Sequence, residues 1–233
     1  VCQVRNLVEL FRKDRDLDPL TGALQWEPFL KKARDTLAEA EQDKRPQQWS
    51  MAFLNMDRFK VFNDLFGRSV GDQLLRNLTA KLAAMRGVAH VGRAGGDRFV
   101  LLCRAEELDL LRFNHLSAEL MDRMHLKYNL HICCGIYEIE DLTLPVAELC
   151  DRAQIAQETV SGRGDQSVAL YDEELRRSLL WEQEVASQMY EALEQGQFEV
   201  YLQPIFSLSS NAPVSAEALV RWNHPERGLI PPN

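Results

Sequence analysis

Two carboxylates stand where predicted β-strands end. Asp57 closes the apolar run 49–57, and Asp97 follows Gly95 and Gly96 in the stretch HVGRAGGDRFVLLC. Adjacent glycines between alternating runs are typical of a β-hairpin turn, because glycine takes positive φ without steric cost. If the two strands are neighbours, both acids lie at one edge of a sheet, where paired carboxylates can hold Mg²⁺ against a nucleotide triphosphate. Spacing alone favours a plainer interpretation, with Asp97 as a turn residue and Asp57 as a helix N-cap.

The elements that would position these acids alternate between helix and strand. Apolar periodicity and Gly, Pro and Asp turn signals predict the order β-α-α-β-β-α-β-α-β. This order indicates an α/β (α+β) fold with helices packed against a sheet, and it favours a ferredoxin-like topology over a doubly wound one. The predicted strands cover residues 49–57, 89–93, 98–103, 129–137 and 167–172, and the predicted helices include 26–44, 106–125 and 145–160.

The pattern divides the chain into four segments. The first is amphipathic, with Val4, Leu7, Val8 and Phe11 on one helical face, and we favour a core-facing helix over one that pairs with another helix. The segments are an N-terminal connector helix (1–17), a main domain (18–172), a linker helix (173–196) and a fragment with two strands (197–233).

Composition and charge narrow the class of protein. Hydrophobic residues make up 45% of the 233 residues, enough for a sizeable core. The net charge of −8 and the lack of a lysine- or arginine-rich run argue against a nucleic-acid binder. Five cysteines without metal-type spacing predict reduced, buried thiols and a cytoplasmic location. No apolar run reaches the roughly 18 residues of a membrane span, and we expect a piece of a longer protein, whose membrane attachment stays open.

Several motifs together resemble a known family. DPLTG, LNMDRFKVFNDLFGRSVGDQLL and GRAGGDRFVLL follow in the order and spacing of GGDEF domains, the diguanylate cyclases, over about 16–172. The tail FEVYLQPIFSLSSNAPVSAEALVRWNHPERGLIPP resembles the opening of an EAL domain, the cyclic di-GMP phosphodiesterase family. The resemblance implies a nucleotidyl-cyclase-type sheet and the start of a (β/α) barrel. It also implies that two copies, each with GTP and Mg²⁺ or Mn²⁺, would meet to form cyclic di-GMP.

The resemblance also assigns a substrate site. Asn63 and Asp72 match the pair that reads guanine in the family, and their chemistry suits the task. A carboxylate can accept from the adjacent N1–H and N2–H₂ donors of guanine, while an amide can both donate and accept at the remaining edge. Lys60, Gly95 and Gly96 match further substrate-binding positions. We therefore expect GTP or another guanine nucleotide as a partner.

The metal positions depart from the family pattern. Asn55 stands where active members carry an aspartate ligand, and Arg98 replaces the second acid of the signature. Asp97 keeps the signature's remaining acid. An amide brings no negative charge to Mg²⁺, and a guanidinium stays cationic and repels it. The sequence therefore predicts impaired cyclisation.

Other family positions differ as well. Glu158 stands where a phosphate-binding lysine is expected, and Ala89 replaces the aspartate that would act with Arg86 in product inhibition. In the tail, Glu217 matches the metal-binding glutamate of EAL domains, and Arg221 matches a substrate-binding arginine. Hydrolysis needs acids from later strands of a closed barrel. We expect no phosphodiesterase activity from the tail alone, and we expect its strands to pack on the first domain or on a neighbouring copy.

Three functions remain in contention. The leading hypothesis is a degenerate GGDEF domain with a regulatory, GTP-binding role beside an EAL phosphodiesterase domain in a longer protein. The second is an active diguanylate cyclase that uses Asp97 and Asn55 for its metal. The third is a dimerisation or docking module that binds no nucleotide.

Overall fold

The computed structural model describes residues 15–42, 48–164 and 166–230. The predicted apolar stripe of the N-terminal helix, from Val4 to Phe11, lies outside the described residues. The chain divides into two compact units, residues 1–172 and 173–233. Each unit is described separately below.

The first unit contains the predicted alternation of helices and strands. Its strands are β1 (Leu24–Gln25), β2 (Trp49–Met56), β3 (Val88–Gly95), β4 (Arg98–Arg104), β5 (Ile132–Ile139) and β6 (Val168–Leu170). Its helices are α1 (Trp26–Gln42), α2 (Phe59–Phe66), α3 (Arg68–Ala83), α4 (Leu110–Arg123) and α5 (Val146–Val160).

One six-stranded sheet runs in the order β1-β3-β4-β2-β5-β6. The four central strands β3, β4, β2 and β5 are antiparallel to one another, and the short edge strands β1 and β6 are parallel to β3 and β5. This arrangement of two βαβ halves around an antiparallel sheet is the ferredoxin-like topology. The predicted fold class is confirmed.

Strand β2 lies at the centre of the packing because helices cover both faces of the sheet. Ala52, Leu54 and Met56 contribute to a core shared with α2, α3 and α4, whereas Met51 and Phe53 contribute to a second core shared with α1 and α5. Successive side chains of a strand point to opposite faces. A strand buried on both faces reads as a continuous apolar run, which explains the sequence WSMAFLNM.

Four cysteines behave as small buried hydrophobic residues. Cys103, Cys133, Cys134 and Cys150 are free and buried in the first unit. Burial raises the pKa of the Cys103 and Cys150 thiols to about 12, so both are protonated at neutral pH. The predicted buried, reduced thiols are confirmed at these four positions.

Element boundaries differ from the prediction at three places. The two-residue strand β1 is too short to produce an alternating pattern, and the sequence did not reveal it. Helix α4 begins at Leu110 rather than 106, because a 3₁₀ turn occupies Ala105–Glu107 and the Asp109 carboxylate caps the backbone N–H of Leu111 at 3.1 Å. Strand β5 begins at Ile132 rather than 129.

The second unit consists of helix α6 (Glu173–Glu194) and an antiparallel sheet. Its strands are β7 (Phe198–Phe206), β8 (Pro213–His224) and β9 (Gly228–Ile230), so the tail has three strands where two were predicted. Pro204 lies in β7, an edge strand of this sheet. Edge strands tolerate proline, because one side of the strand has no partner for a backbone N–H. Among the described helices, none is long and apolar enough to cross a membrane.

The contact between β5 and α5 depends on a glycine. A Cβ at Gly135 would overlap the Ala153 carbonyl oxygen and the Gln157 backbone nitrogen, both parts of the helix backbone that cannot swing away. We predict that Gly135→Ala lowers the free energy of unfolding by about 3 kcal/mol, because α5 must move off the sheet. Urea unfolding followed by circular dichroism would measure the loss.

Gly164→Ala is the matched control for this glycine, since nothing lies within 4 Å of a Cβ there. Its effect should stay within about 0.5 kcal/mol. Equal stability of the Gly135 and Gly164 variants would contradict the packing described for α5.

Candidate functional site

The residues predicted to do chemistry gather where β2 ends beside the turn between β3 and β4. We call this region, residues 55–56 and 95–98, the hairpin edge. Leu54 pairs with Phe99 of β4, so the two strands are neighbours, which meets the condition stated for the two acids above. Gly95 and Gly96 take φ angles of 117° and 59° and form the turn, a backbone geometry that side chains with a Cβ rarely adopt.

Asp97 is the acid that points into the hairpin edge. Its carboxylate is half-buried and accepts hydrogen bonds from the backbone N–H groups of Met56 and of Asp97 itself. Burial raises the pKa of Asp97 above its ordinary value, and these hydrogen bonds together with Arg98 and Arg93 offset the rise only in part. Arg98 and Arg93 are the positive charges that act on this carboxylate.

Asn55 and Arg98 flank that acid. Asn55 pairs with Cys133 of β5, and on its other side the antiparallel register continues from the Leu54–Phe99 pair toward Arg98. Asn55 is half-buried, whereas Arg98 is exposed at the first position of β4. One carboxylate, one neutral amide and one guanidinium sum to no net charge. Mg²⁺ prefers oxygen ligands with negative charge, so this donor set is poorly matched to it.

Asp57 lies at the same edge, but its carboxylate is engaged elsewhere. One oxygen accepts from the Ser161 hydroxyl at 2.8 Å, and the other accepts from the Gly162 backbone N–H at 2.7 Å and lies 2.9 Å from His131 Nδ1. The side chain thus ties the end of β2 to the segment after α5. It does not cap α2, because the N-cap position there is Arg58. Its described hydrogen bonds are to His131 and to the segment after α5, and none of them involves Asp97.

The hydrogen bonds to Asp57 favour its charged form. Burial raises the pKa of this carboxyl, but the bonds from His131, Gly162 and Ser161 outweigh burial and leave the pKa below its ordinary value. The neighbouring thiol of Cys133 shows the opposite effect, because burial and the Asp57 charge raise its pKa to about 12.

Asn63 and Asp72 come from consecutive helices and lie near the turn that joins them. Gly67, with a φ of 86°, connects α2 to α3, and its N–H donates to the Asn63 carbonyl at 2.9 Å. A Cβ at Gly71 would overlap Asn63 Oδ1, so the amide rests on the first turn of α3 next to Asp72. Both side chains are half-buried, and Lys60 is exposed on α2.

A charged cluster behind the hairpin turn was not predicted from the sequence. Arg93 donates to the Gly96 carbonyl at 2.9 and 2.6 Å and to Asp18 Oδ1 at 2.8 Å. The same Asp18 oxygen accepts from the Thr21 N–H and hydroxyl. Arg93 thus holds the hairpin turn against the DPLTG segment. The only signals in the sequence were a capping aspartate before a proline and an arginine two residues before the glycines.

The remaining predicted positions make contacts within their own parts of the chain. Arg86 is exposed and pairs with Glu107 at 3.3 Å, and Glu158 accepts from Gln154 at 2.9 Å on α5. In the second unit, Glu217 is exposed in β8 opposite Gln203. Arg221 lies farther along β8, on the same side of the strand as Glu217, and donates to the Val220 carbonyl at 2.8 Å.

Comparison with protein-family models gives two matches. The model described as diguanylate cyclase, GGDEF domain, matches residues 15–167. The EAL domain model matches residues 186–233.

Curated relatives combine the same domains. The bifunctional diguanylate cyclase/cyclic di-GMP phosphodiesterase MucR of Pseudomonas aeruginosa is 27% identical over 239 residues, covering 98% of this chain and 33% of MucR. The cyclic di-GMP phosphodiesterase PdeR of Escherichia coli is 26% identical, covering 100% of this chain and 35% of PdeR. The chain thus spans about a third of the length of these relatives.

Solved structures share the fold. A microbial GGDEF domain studied for its interaction with cyclic di-GMP is 27% identical, with a TM-score of 0.57 over 69% of this chain and 99% of that one. The LapD S helix-GGDEF-EAL structure from Vibrio cholerae, bound to cyclic di-GMP, has a TM-score of 0.57 at 13% identity. The match covers 96% of this chain and 53% of that one. At this identity, the similarity supports the fold alone.

The ion pair behind the hairpin generates a pH prediction. Burial raises the pKa of Asp18, but the bonds from Thr21 and Arg93 outweigh it, so the pKa lies below the ordinary 3.8. A depressed pKa adds stability above the unfolded-state value, and this stability is lost as the pH falls through the folded-state value. We expect Asp18→Asn to cost about 2 kcal/mol at pH 7, and the difference from the wild type to shrink below about pH 4.

Urea unfolding at a series of pH values from 7 to 3 would measure this difference. Asp122→Asn, an exposed carboxylate on α4, is the control and should change stability little at any pH. A loss for the Asp18 variant that does not depend on pH would rule out the charged hydrogen bonds as its cause.

Proposed function

Because this chain belongs to the GGDEF family of diguanylate cyclases and carries an EAL match after that domain, we propose that its GGDEF domain binds a guanine nucleotide in a regulatory role and cyclises it poorly. The observation that carries the proposal is an intact pair of guanine-reading positions beside a hairpin edge without net negative charge. The regulated partner is an EAL phosphodiesterase domain in a longer protein.

Guanine recognition is supported by the placement of Asn63 and Asp72. Gly71 leaves room for the Asn63 amide against α3, next to the Asp72 carboxylate. The pair offers a carboxylate for two adjacent guanine donors and an amide for the remaining edge, while adenine presents no such pair of donors. This geometry supports a guanine nucleotide over an adenine nucleotide.

The charges at the hairpin edge support binding without efficient cyclisation. In the family, Mg²⁺ or Mn²⁺ neutralises the phosphates and prepares the attacking hydroxyl. The residues here are poorly matched to that ion, so no catalytic step is assigned to it. Arg98 is exposed at the edge and can neutralise part of the triphosphate charge directly. A guanidinium cannot accept a proton, so Arg98 cannot act as the base for the 3′-hydroxyl.

An active cyclase remains the second candidate, because one observation favours it. Asp97 keeps its signature position in the turn between β3 and β4, beside the end of β2, where Asn55 can add an amide oxygen. This candidate requires Mg²⁺ or Mn²⁺ for tight GTP binding and makes cyclic di-GMP. The leading proposal requires no divalent ion for GTP binding and no formation of cyclic di-GMP.

Calorimetric titration with GTP tests the proposed recognition. We predict that Asn63→Ala and Asp72→Ala each weaken GTP binding by about 10- to 100-fold, because a charged or paired guanine contact contributes about 1.5–3 kcal/mol. Asp64→Ala, an exposed acid next to Asn63, is the control and should bind GTP like the wild type. Wild-type protein that binds no GTP at millimolar concentration would support the docking module instead.

Restoring acids to the hairpin edge tests the proposed impairment. We predict that the double variant Asn55→Asp, Arg98→Glu shows a gain of at least about tenfold in GTP affinity when Mg²⁺ is added, because the edge then carries three acids. The wild type should show little dependence on Mg²⁺ and little cyclic di-GMP in a product assay. Strong Mg²⁺ dependence and turnover in the wild type, both lost in Asp97→Ala, would establish the active cyclase.

A further inference from the structure

Three metal-binding side chains of different chemistry converge beside the hairpin edge. We call Asp57, His131 and Cys133 the Asp57 cluster. A carboxylate oxygen, an imidazole nitrogen and the sulfur all lie within 4.8 Å of one another. His131 Nδ1 is 2.9 Å from Asp57 Oδ2 and 3.3 Å from Cys133 Sγ. No role assigned above uses this convergence.

One ring nitrogen of His131, Nδ1, faces the carboxylate oxygen of Asp57 and the sulfur of Cys133. Nε2 lies 3.1 Å from the Gln166 carbonyl oxygen, which can only accept, and 3.4 Å from the Ser167 hydroxyl. Nδ1 faces the Asp57 carboxylate at 2.9 Å and donates to it when it carries the ring proton. A cation bound by Nδ1 and the carboxylate would take the place of that proton and leave Nε2–H for the Gln166 carbonyl. A metal-binding histidine typically donates its other N–H to a backbone carbonyl in this way.

Gln157 supplies an independent observation. Its side chain is 3% exposed, and its amide Nε2 has no hydrogen-bond partner of good geometry in the part of the chain that the structure describes. Gln157 lies on α5 one helical turn before Val160, whose carbonyl oxygen is 3.6 Å from Cys133 Sγ, so the residue lies close to the sulfur. A buried donor without a partner is costly. A thiolate, the form of cysteine that binds a metal, would accept this N–H.

We propose that Asp57, His131 and Cys133 bind one thiophilic divalent ion, with Zn²⁺ as the ion whose preferences the donors match. Zn²⁺ takes sulfur at about 2.3 Å, nitrogen at about 2.0–2.1 Å and oxygen at about 2.0–2.2 Å in a tetrahedron. These bond lengths place the donor atoms about 3.3–3.7 Å apart, close to the observed separations. Ser161 and Gly162 beside the cluster are exposed, which leaves a route from solvent and a fourth position for water. The inference does not rest on nucleotide binding.

Mg²⁺ is not the ion expected here. Mg²⁺ requires an octahedral shell of oxygens, and the cluster offers a single carboxylate among nitrogen and sulfur donors. The Asp57 cluster is therefore distinct in chemistry from the hairpin edge, although Cys133 and Asn55 are direct partners in the sheet register.

Titration with Zn²⁺, and with Co²⁺ as a spectroscopic probe, tests the inference. The whole chain, reduced with a phosphine that does not bind metals, should take up one equivalent of ion. The Co²⁺ complex should show a thiolate-to-cobalt charge-transfer band, and Cys133→Ser and His131→Asn should each remove it. Gln157→Met, which keeps the volume and all three ligands, should weaken Zn²⁺ binding by about 10- to 100-fold.

Cys150→Ser serves as the matched control and should keep the band, because Cys150 does not belong to the cluster. Circular dichroism would verify that each variant is folded, and His131→Asn carries the test if Cys133→Ser is not. The inference is overturned if no equivalent of Zn²⁺ or Co²⁺ binds, if the band persists without Cys133, or if a control cysteine removes it.

Discussion

The register of strand β2 between β4 and β5 is the constraint on which the candidate site depends. Because side chains alternate along a strand, Asn55 faces the α1 and α5 side of the sheet while Met56 is fixed in the opposite core. A shift of one residue would bury Asn55 and expose Met56. The apolar residues of β2, buried on both faces, therefore set the position of every polar group at the hairpin edge.

Electrostatics then distinguishes two neighbouring sites that use similar residues. At the hairpin edge, Asp97 is half-buried, and the positive charge of Arg98 offsets its negative charge. A few ångströms along the sheet, Asp57 is kept ionised by its hydrogen bonds and lies beside imidazole and sulfur. The same side chain type thus has opposite pKa shifts at the two sites, because burial prevails at Asp97 and hydrogen bonding prevails at Asp57.

Much of the fold could be predicted from the sequence, because its signals are local. The turn glycines, the apolar runs and the helix-ending residues identified all four central strands and their order along the chain. The contacts of Asp57 could not be predicted, since His131 is 74 positions away and Ser161 is 104 positions away. Arg93 likewise reaches Asp18 across 75 positions. A single sequence carries no signal for such pairs, and only the folded sheet brings them together. Strands β1 and β9 were missed for a different reason, because two or three residues are too few to show a period.

The exchange of an acid for Arg98 changes what the hairpin edge can do rather than simply removing a function. An edge with several acids attracts a divalent cation, and the cation in turn attracts a triphosphate. An edge with a guanidinium attracts the triphosphate itself, with charge-assisted hydrogen bonds in place of ion-mediated ones. Binding and cyclisation respond differently, because binding needs only neutralised phosphates, whereas cyclisation also needs a group that removes a proton from the attacking hydroxyl. The guanine contacts proposed for Asn63 and Asp72 would be unaffected by this exchange, since these residues lie on α2 and α3. Under the proposed function, this combination of residues suits a domain that reports the presence of a nucleotide without consuming it.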